Sequence, residues 1–134
     1  MHDAIKEADI KKGDIVMDLG SGDGRFLIAA AKRGATAIGW EINPFLVLYT
    51  SLRAYFAGVS DRVTIHCGNF LHADVHNADV IFLFVITKYL PKVEEKLQKE
   101  MKEGTKVIAY VFALSHMKPY KTIHTSCLSC YKIQ

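Results

Sequence analysis

Ile15-Val16-Met17-Asp18-Leu19-Gly20-Ser21-Gly22-Asp23-Gly24-Arg25 runs from a short apolar segment straight into three alternating glycines. The first five residues read as a buried strand, which the glycines stop. Glycine lets the backbone turn sharply and approach a ligand with no β-carbon in the way. Arg25 to Arg33, with three consecutive alanines, reads as a helix, and Gly34 stands where its C-cap belongs. The free amides at the start of that helix point into the space the turn leaves open. In open α/β sheets this space, beyond the carboxyl ends of the strands, is where ligands sit.

Outward from this unit the same alternation continues. Ala35 to Trp40 reads as a second strand, and Asn43-Pro44 opens a helix with a capping side chain followed by proline in the first turn. That helix carries Phe45, Leu48, Leu52 and Phe56 at helical spacing and ends at Gly58. Arg62 to His66 and Val80 to Val85 are the third and fourth strands; the fourth is apolar on both faces, as in a parallel strand covered from both sides. Pro91 to Met101 is amphipathic, Lys106 to Phe112 a fifth strand, and Tyr120 to Ile133 one or two short strands more. The expected fold is α/β, a Rossmann-like, open, mostly parallel twisted sheet with helices on both faces. No repeat or linker divides residues 1–134, which read as one domain.

Composition narrows the function classes. Half the residues are hydrophobic and 23% charged, evenly spread, which excludes a disordered tail or a fibre. Three cysteines cannot all pair within the chain, and Met1-His2-Asp3 leads into a charged segment rather than a secretory leader. A cytoplasmic protein without a membrane anchor is expected. A net charge of +3 is small for a nucleic-acid binder, so a polyanionic partner is not expected.

The glycine spacing separates cofactors. A dinucleotide fingerprint would set its third glycine at position 25, where Arg25 stands, and no Gly-Lys-Ser/Thr of a phosphate loop follows. Asp18 and Asp23 would repel phosphates, while Asp18 suits a ligand with a positive end. Glu41, 21 residues after Gly20, closes the second strand and can accept from both hydroxyls of a ribose. The plain alternative is a surface turn with a helix-capping glutamate.

Val16 to Gly24 resembles motif I of the class I S-adenosylmethionine-dependent methyltransferases. Gly39-Trp40-Glu41-Ile42-Asn43-Pro44 resembles their second motif and Cys67-Gly68-Asn69-Phe70 their third, with Asn69 where an acidic residue is common. More narrowly, Asp18 to Arg25, Glu41 to Tyr49 and Leu52-Arg53-Ala54, with Phe112, His116 and Pro119, are similar to the ATP synthase c-subunit lysine methyltransferase family and its short prokaryotic relatives. The resemblance implies S-adenosyl-L-methionine as cofactor, held by Asp18, Gly20, Ser21, Gly22, Asp23, Gly24, Glu41, Ile42, Asn43, Asn69, Phe70 and Val85. It implies methylation of a lysine amine on a protein substrate. Methylation of RNA or a small metabolite, and a non-catalytic cofactor-binding module, stay open beside it, as does a homo-oligomer. With about a dozen residues before the first strand, the site is expected to be unusually open.

Methyl transfer to an amine is an in-line displacement in which positioning does most of the work, worth ~7–11 kcal/mol in favourable cases. A lysine must first lose its proton, and desolvation in a narrow apolar channel achieves that. The loop after the fourth strand, Val85-Ile86-Thr87-Lys88-Tyr89-Leu90-Pro91, faces the reacting methyl in this architecture. Thr87 and Tyr89 are the candidate catalytic residues, holding the amine through their oxygens between Ile86 and Leu90. Equally, Tyr89 simply packs the next helix. His116 lies on the same edge of the sheet and could accept a proton, or merely stabilise a turn before Pro119.

Other signals carry less. His72 and His76 lack the glutamate of a zincin motif and read as a short surface connection, and no metal is expected. Cys127 and Cys130 have redox or half-zinc-site spacing, with Cys67 or His124 as further ligands, but sit in a terminal strand or hairpin. Lys92, Lys96, Lys99 and Lys102 alternate with glutamates and read as a solvated face rather than an RNA-binding stripe.

Overall fold

The computed structural model describes residues 2–84, 87–110, 119, 121–123 and 128–132. The expectations placed on Val85, Ile86, Phe112, His116, His124 and Cys127 lie outside the described residues, as does the side chain of Thr87. Among the described residues, seven strands and four α-helices follow one another: α1 (His2–Ala8), β1 (Ile15–Leu19), α2 (Arg25–Lys32), β2 (Thr36–Glu41), α3 (Pro44–Phe56), β3 (Val63–Cys67), β4 (Val80–Leu83), α4 (Leu90–Glu100), β5 (Lys106–Tyr110), β6 (Lys121–Ile123) and β7 (Leu128–Lys132). The strand order is β3-β2-β1-β4-β5-β7-β6. β3, β2, β1, β4 and β5 run parallel; β7 pairs antiparallel with β5 and with β6. The chain leaves β1 in one direction for β2 and β3, then returns to its other side for β4, so a crevice opens at the carboxyl ends of β1 and β4.

Period-two burial builds a layer on each face of the sheet. Val16, Ala37, Val80, Phe82 and Ile108 point toward α1, α2 and α3, and Cys130 is buried among them. Met17, Leu19, Ile81, Leu83 and Val107 point the other way, against Val93 and Leu97 of α4. The fold class agrees with the sequence expectation, and β4 is buried along its whole length, as expected of a parallel strand covered from both sides.

Two helices differ from the sequence reading. α1 is an addition to it, because its seven residues hold only a narrow apolar edge of Ala4, Ile5 and Ala8; all three are nonetheless buried. α3 has the expected cap, Asn43 Oδ1 accepting from Phe45 N–H at 3.0 Å, and the expected length. Its inward face, however, is the small one, with Thr50 and Ala54 buried, while Phe45, Leu48, Leu52 and Phe56 face solvent.

Candidate active site

The site forms where the carboxyl ends of β1, β2 and β4 diverge. The N–H groups of Gly20 and Ser21 both donate to the Trp40 carbonyl, at 2.9 and 3.0 Å, which lays the glycine turn on the end of β2. Gly20, at φ +86°, leaves only 3.0 Å between a would-be β-carbon and the Phe84 carbonyl just past β4, so any side chain there would press on that strand's end. Glu41 fastens the turn from the other side: Oε1 accepts from Gly22 N–H at 3.1 Å and Oε2 from Asn43 N–H at 2.8 Å. A carboxylate has about four lone-pair sites, so both oxygens keep one for a ligand. From α3, Thr50 Oγ1 donates to the Gly22 carbonyl at 3.2 Å and Arg53 donates to the Asp23 carbonyl at 2.9 Å.

Two adjoining cavities flank this turn and share Gly20 and Phe84. The first, about 260 Å³, is lined by Asp18, Ser21, Gly22, Asp23 and Arg25, closed by Phe26 and Tyr110. The second, about 270 Å³, has Glu41 and Asn69 as its polar groups among Trp40, Ile42, Phe70 and Tyr89. Together they make one elongated cleft with a charged end and a flat, apolar end. Phe70 and Tyr89 meet edge-to-face at 6.2 Å, and Tyr89 also packs against the core beneath α4. Lys88 is exposed, its ammonium 5.1 Å from the Tyr89 ring.

Charge is arranged asymmetrically. Asp18 is 2% exposed, and burial, with Glu41 and then Asp23 adding negative potential, raises its carboxyl to about 7. Asp23 is different: its hydrogen bonds with the Arg25 guanidinium hold its carboxyl below the usual range, with Arg53 3.6 Å away. The repulsion expected of Asp23 is therefore offset by two arginines, and the acidic character of the cleft comes from Asp18 and Glu41. Ser21 Oγ is buried with no hydrogen-bond partner among the described residues, so the charged end is short of a partner.

A testable consequence concerns Asp18. Its folded value is raised, so its contribution to stability is complete below about pH 4 and is lost as pH climbs through about 7. A rise from 3.8 to about 7 corresponds to ~4 kcal/mol. The unfolding free energy of the ligand-free protein should fall by up to that order between about pH 4 and pH 8.5 in urea titrations, and Asp18→Asn should flatten the slope. An unchanged slope in the variant would reject the assignment.

Of the residues singled out in the sequence, Asp18, Gly20, Ser21, Gly22, Asp23, Glu41, Ile42, Asn69, Phe70 and Tyr89 line the cleft. Asn69 also caps the 3-10 turn that begins at Phe70, its Oδ1 accepting from Leu71 N–H at 2.9 Å. Gly24 and Asn43 stand behind the wall, one against Thr50 and the other on Glu41. Thr87 lies in a 3-10 turn just before α4, and Val85 lies outside the described residues. The sequence reading missed Arg25, Phe26, Trp40, Phe84 and Tyr110 as cleft walls. Among the described residues no group of three His, Cys, Asp or Glu side chains gathers as a metal site, and no helix is long and apolar enough to cross a membrane. Lys96, Lys99 and Lys102 are held by Glu100, Glu95 and Asp79 at 2.6–2.8 Å.

The sequence and the fold recur in known proteins. The chain is 34% identical over 122 residues to the ATP synthase c-subunit lysine N-methyltransferase of Rattus norvegicus, an alignment covering 91% of this chain and 56% of the relative. It thus spans about half the length of that protein. A protein-lysine N-methyltransferase of Saccharolobus islandicus is 36% identical, with 89% of this chain and 75% of the relative aligned. The crystal structure of an RNA methyltransferase from Salinibacter ruber, in complex with S-adenosyl-L-homocysteine, superposes with a TM-score of 0.90 at 32% identity, over 98% of this chain and 87% of that one. Residues 18–121, from the buried aspartate of the glycine turn to the start of β6, match the model of the ANTKMT methyltransferase domain, and the chain belongs to that family.

Proposed function

We propose that residues 1–134 form an S-adenosylmethionine-dependent methyltransferase domain that modifies the side-chain amine of lysine in a protein. The observation that carries this reading is the two-ended cleft. Asp18 is a buried carboxyl whose raised value falls when a cation binds beside it, and Arg25 at the same end suits a carboxylate. An amino acid carries both charges. At the other end Glu41 suits ribose hydroxyls, Asn69 offers an amide to a base, and Trp40, Ile42 and Phe70 supply flat apolar contact. These residues fit the cofactor, which when bound supplies a methyl group on a sulfonium. The chain's part is to hold and orient it, keep water out around Phe84, and receive the amine beside Tyr89, with Thr87 close by in sequence. An apolar surround disfavours the ammonium form of lysine and so releases its lone pair without a dedicated base.

Lysine is favoured as acceptor by the relatives from rat and from Saccharolobus islandicus, both named for lysine N-methylation. RNA is the second reading, favoured by the name of the Salinibacter ruber protein. Against it stand the net charge of +3 and three α4-region lysines already paired with acids. The test is transfer of labelled methyl from S-adenosylmethionine into a mixture of cellular protein and RNA. Protease-sensitive label that hydrolyses to methyl-lysine is expected. Label removed by ribonuclease would replace the lysine reading with the RNA one.

A further inference from the structure

We propose that the outward face of α3 is a twofold self-association surface that pairs this chain with a second copy. Phe45, Leu48, Leu52 and Tyr55 recur at three- and four-residue steps along the helix, 79, 60, 49 and 68% exposed, with Tyr49 and Phe56 beside them. This is the spacing of a helix–helix seam, and here it points to solvent on a helix about 20 Å long. Thr50 and Ala54 already fill the inward face, so turning the helix cannot hide the seam. Fully covered aromatic side chains contribute roughly 150–250 Å² each, so these four aromatic residues with Leu48, Leu52 and the neighbouring Ile42 present on the order of 1,000 Å² per copy. Monomers rarely expose apolar patches beyond a few hundred Å², whereas a standard interface takes ~800 Å² from each partner.

The chemistry of the seam selects a second copy over other occupants. α3 contains one charged residue, Arg53, whose guanidinium lies at the edge of the patch over the Tyr49 ring, 5.6 Å from its centroid, and is already engaged by Asp23. Ser51, a polar residue beside the seam, already donates to the Val47 carbonyl at 2.9 Å. Two copies of this face meet without repulsion and without stranding a charge, as an isologous interface requires. A helix that lies on a membrane surface carries several lysines and arginines beside its apolar face, and the single arginine of α3 is already engaged by Asp23. Ile42, 72% exposed just before the helix, belongs to both the patch and the wall of the second cavity. A copy seated on the seam therefore covers the rim of the cleft, where the sequence reading expects it to be open.

Sedimentation equilibrium of the whole chain tests this without any cofactor, so its outcome is independent of the methyltransferase reading. From about 1 to 100 µM, concentrations that bracket a standard-size interface, the mass should be that of two copies. Leu48→Glu with Leu52→Glu should weaken association at least ~100-fold while circular dichroism stays that of the wild type. Leu52→Gln alone, which preserves helix propensity, should weaken it in part. A single-copy mass throughout the range, or undiminished pairing in the folded double variant, would overturn the proposal. So would a single-copy protein that floats with phosphatidylcholine vesicles.

Discussion

Glu41→Ala should weaken S-adenosylhomocysteine binding by ~100-fold or more in calorimetric titration, with secondary structure unchanged. The carboxylate does two jobs. It accepts from Gly22 N–H and Asn43 N–H, so its loss frees the glycine turn and the start of α3 together. Charge-assisted hydrogen bonds contribute ~1.5–3 kcal/mol each, and the ribose would lose its acceptor as well. Losing two such bonds to the ribose hydroxyls would already exceed the ~2.7 kcal/mol that a hundredfold requires, at ~1.4 kcal/mol per tenfold. Glu41→Gln is the sharper variant. It keeps the shape but has one acceptor oxygen, so one of the two backbone donors must face an NH2 group. It should bind more weakly than wild type and better than alanine. Unaltered affinity in both variants would remove Glu41 from the ligand site.

Gly24→Ala should lower the melting temperature by ~10–20 °C, from a loss of about 3–5 kcal/mol. At φ +77° an L-residue is strained, and the added β-carbon would run into Thr50, whose Oγ1 and Cβ would lie at 2.8 and 2.9 Å. Thr50 is fully buried and bonds the Gly22 carbonyl, so it cannot swing aside without releasing the turn. A domain of this size holds ~5–15 kcal/mol in all, so the change takes a large share of it. Combining Gly24→Ala with Thr50→Ala should recover part of the loss, because the two substitutions share one clash. Strictly additive destabilisation in the double variant would show that backbone strain alone is responsible.

The strand and helix order is legible because β1, β2, β4 and β5 are short and mostly apolar and the helices between them carry capping or glycine signals, and Asp18, the glycines and Glu41 lie at strand ends where spacing shows them. What stays hidden depends on partners distant in sequence. Gly39 reads as part of a strand and of the second motif, with no packing role, yet its missing β-carbon admits Leu27, giving the close helix–strand approach that a dinucleotide fold obtains from a glycine where this chain has Arg25. Asp23 reads as a repulsive charge because nothing in the sequence places Arg53, 30 residues away, beside it. Phe84 reads as the interior of a longer fourth strand; the strand ends at Leu83, and the next side chain, half exposed, becomes the wall shared by both cavities. The apolar spacing of α3 is plain in the sequence, but periodicity does not say which side of a helix faces the sheet.

The place of β1 between β2 and β4 also shapes the birth of the protein. β2 follows β1 closely, but β4 begins at Val80, some sixty residues after Leu19. At the ~5–20 residues per second of synthesis, the unpaired edge of β1 waits ~3–12 s on the ribosome for its second neighbour. During that wait the half-sheet of β1, β2 and β3 has emerged without α4 to cover Met17 and Leu19. Nascent chains of this topology should therefore engage holding chaperones, and slowing translation between β3 and β4 should lower their yield.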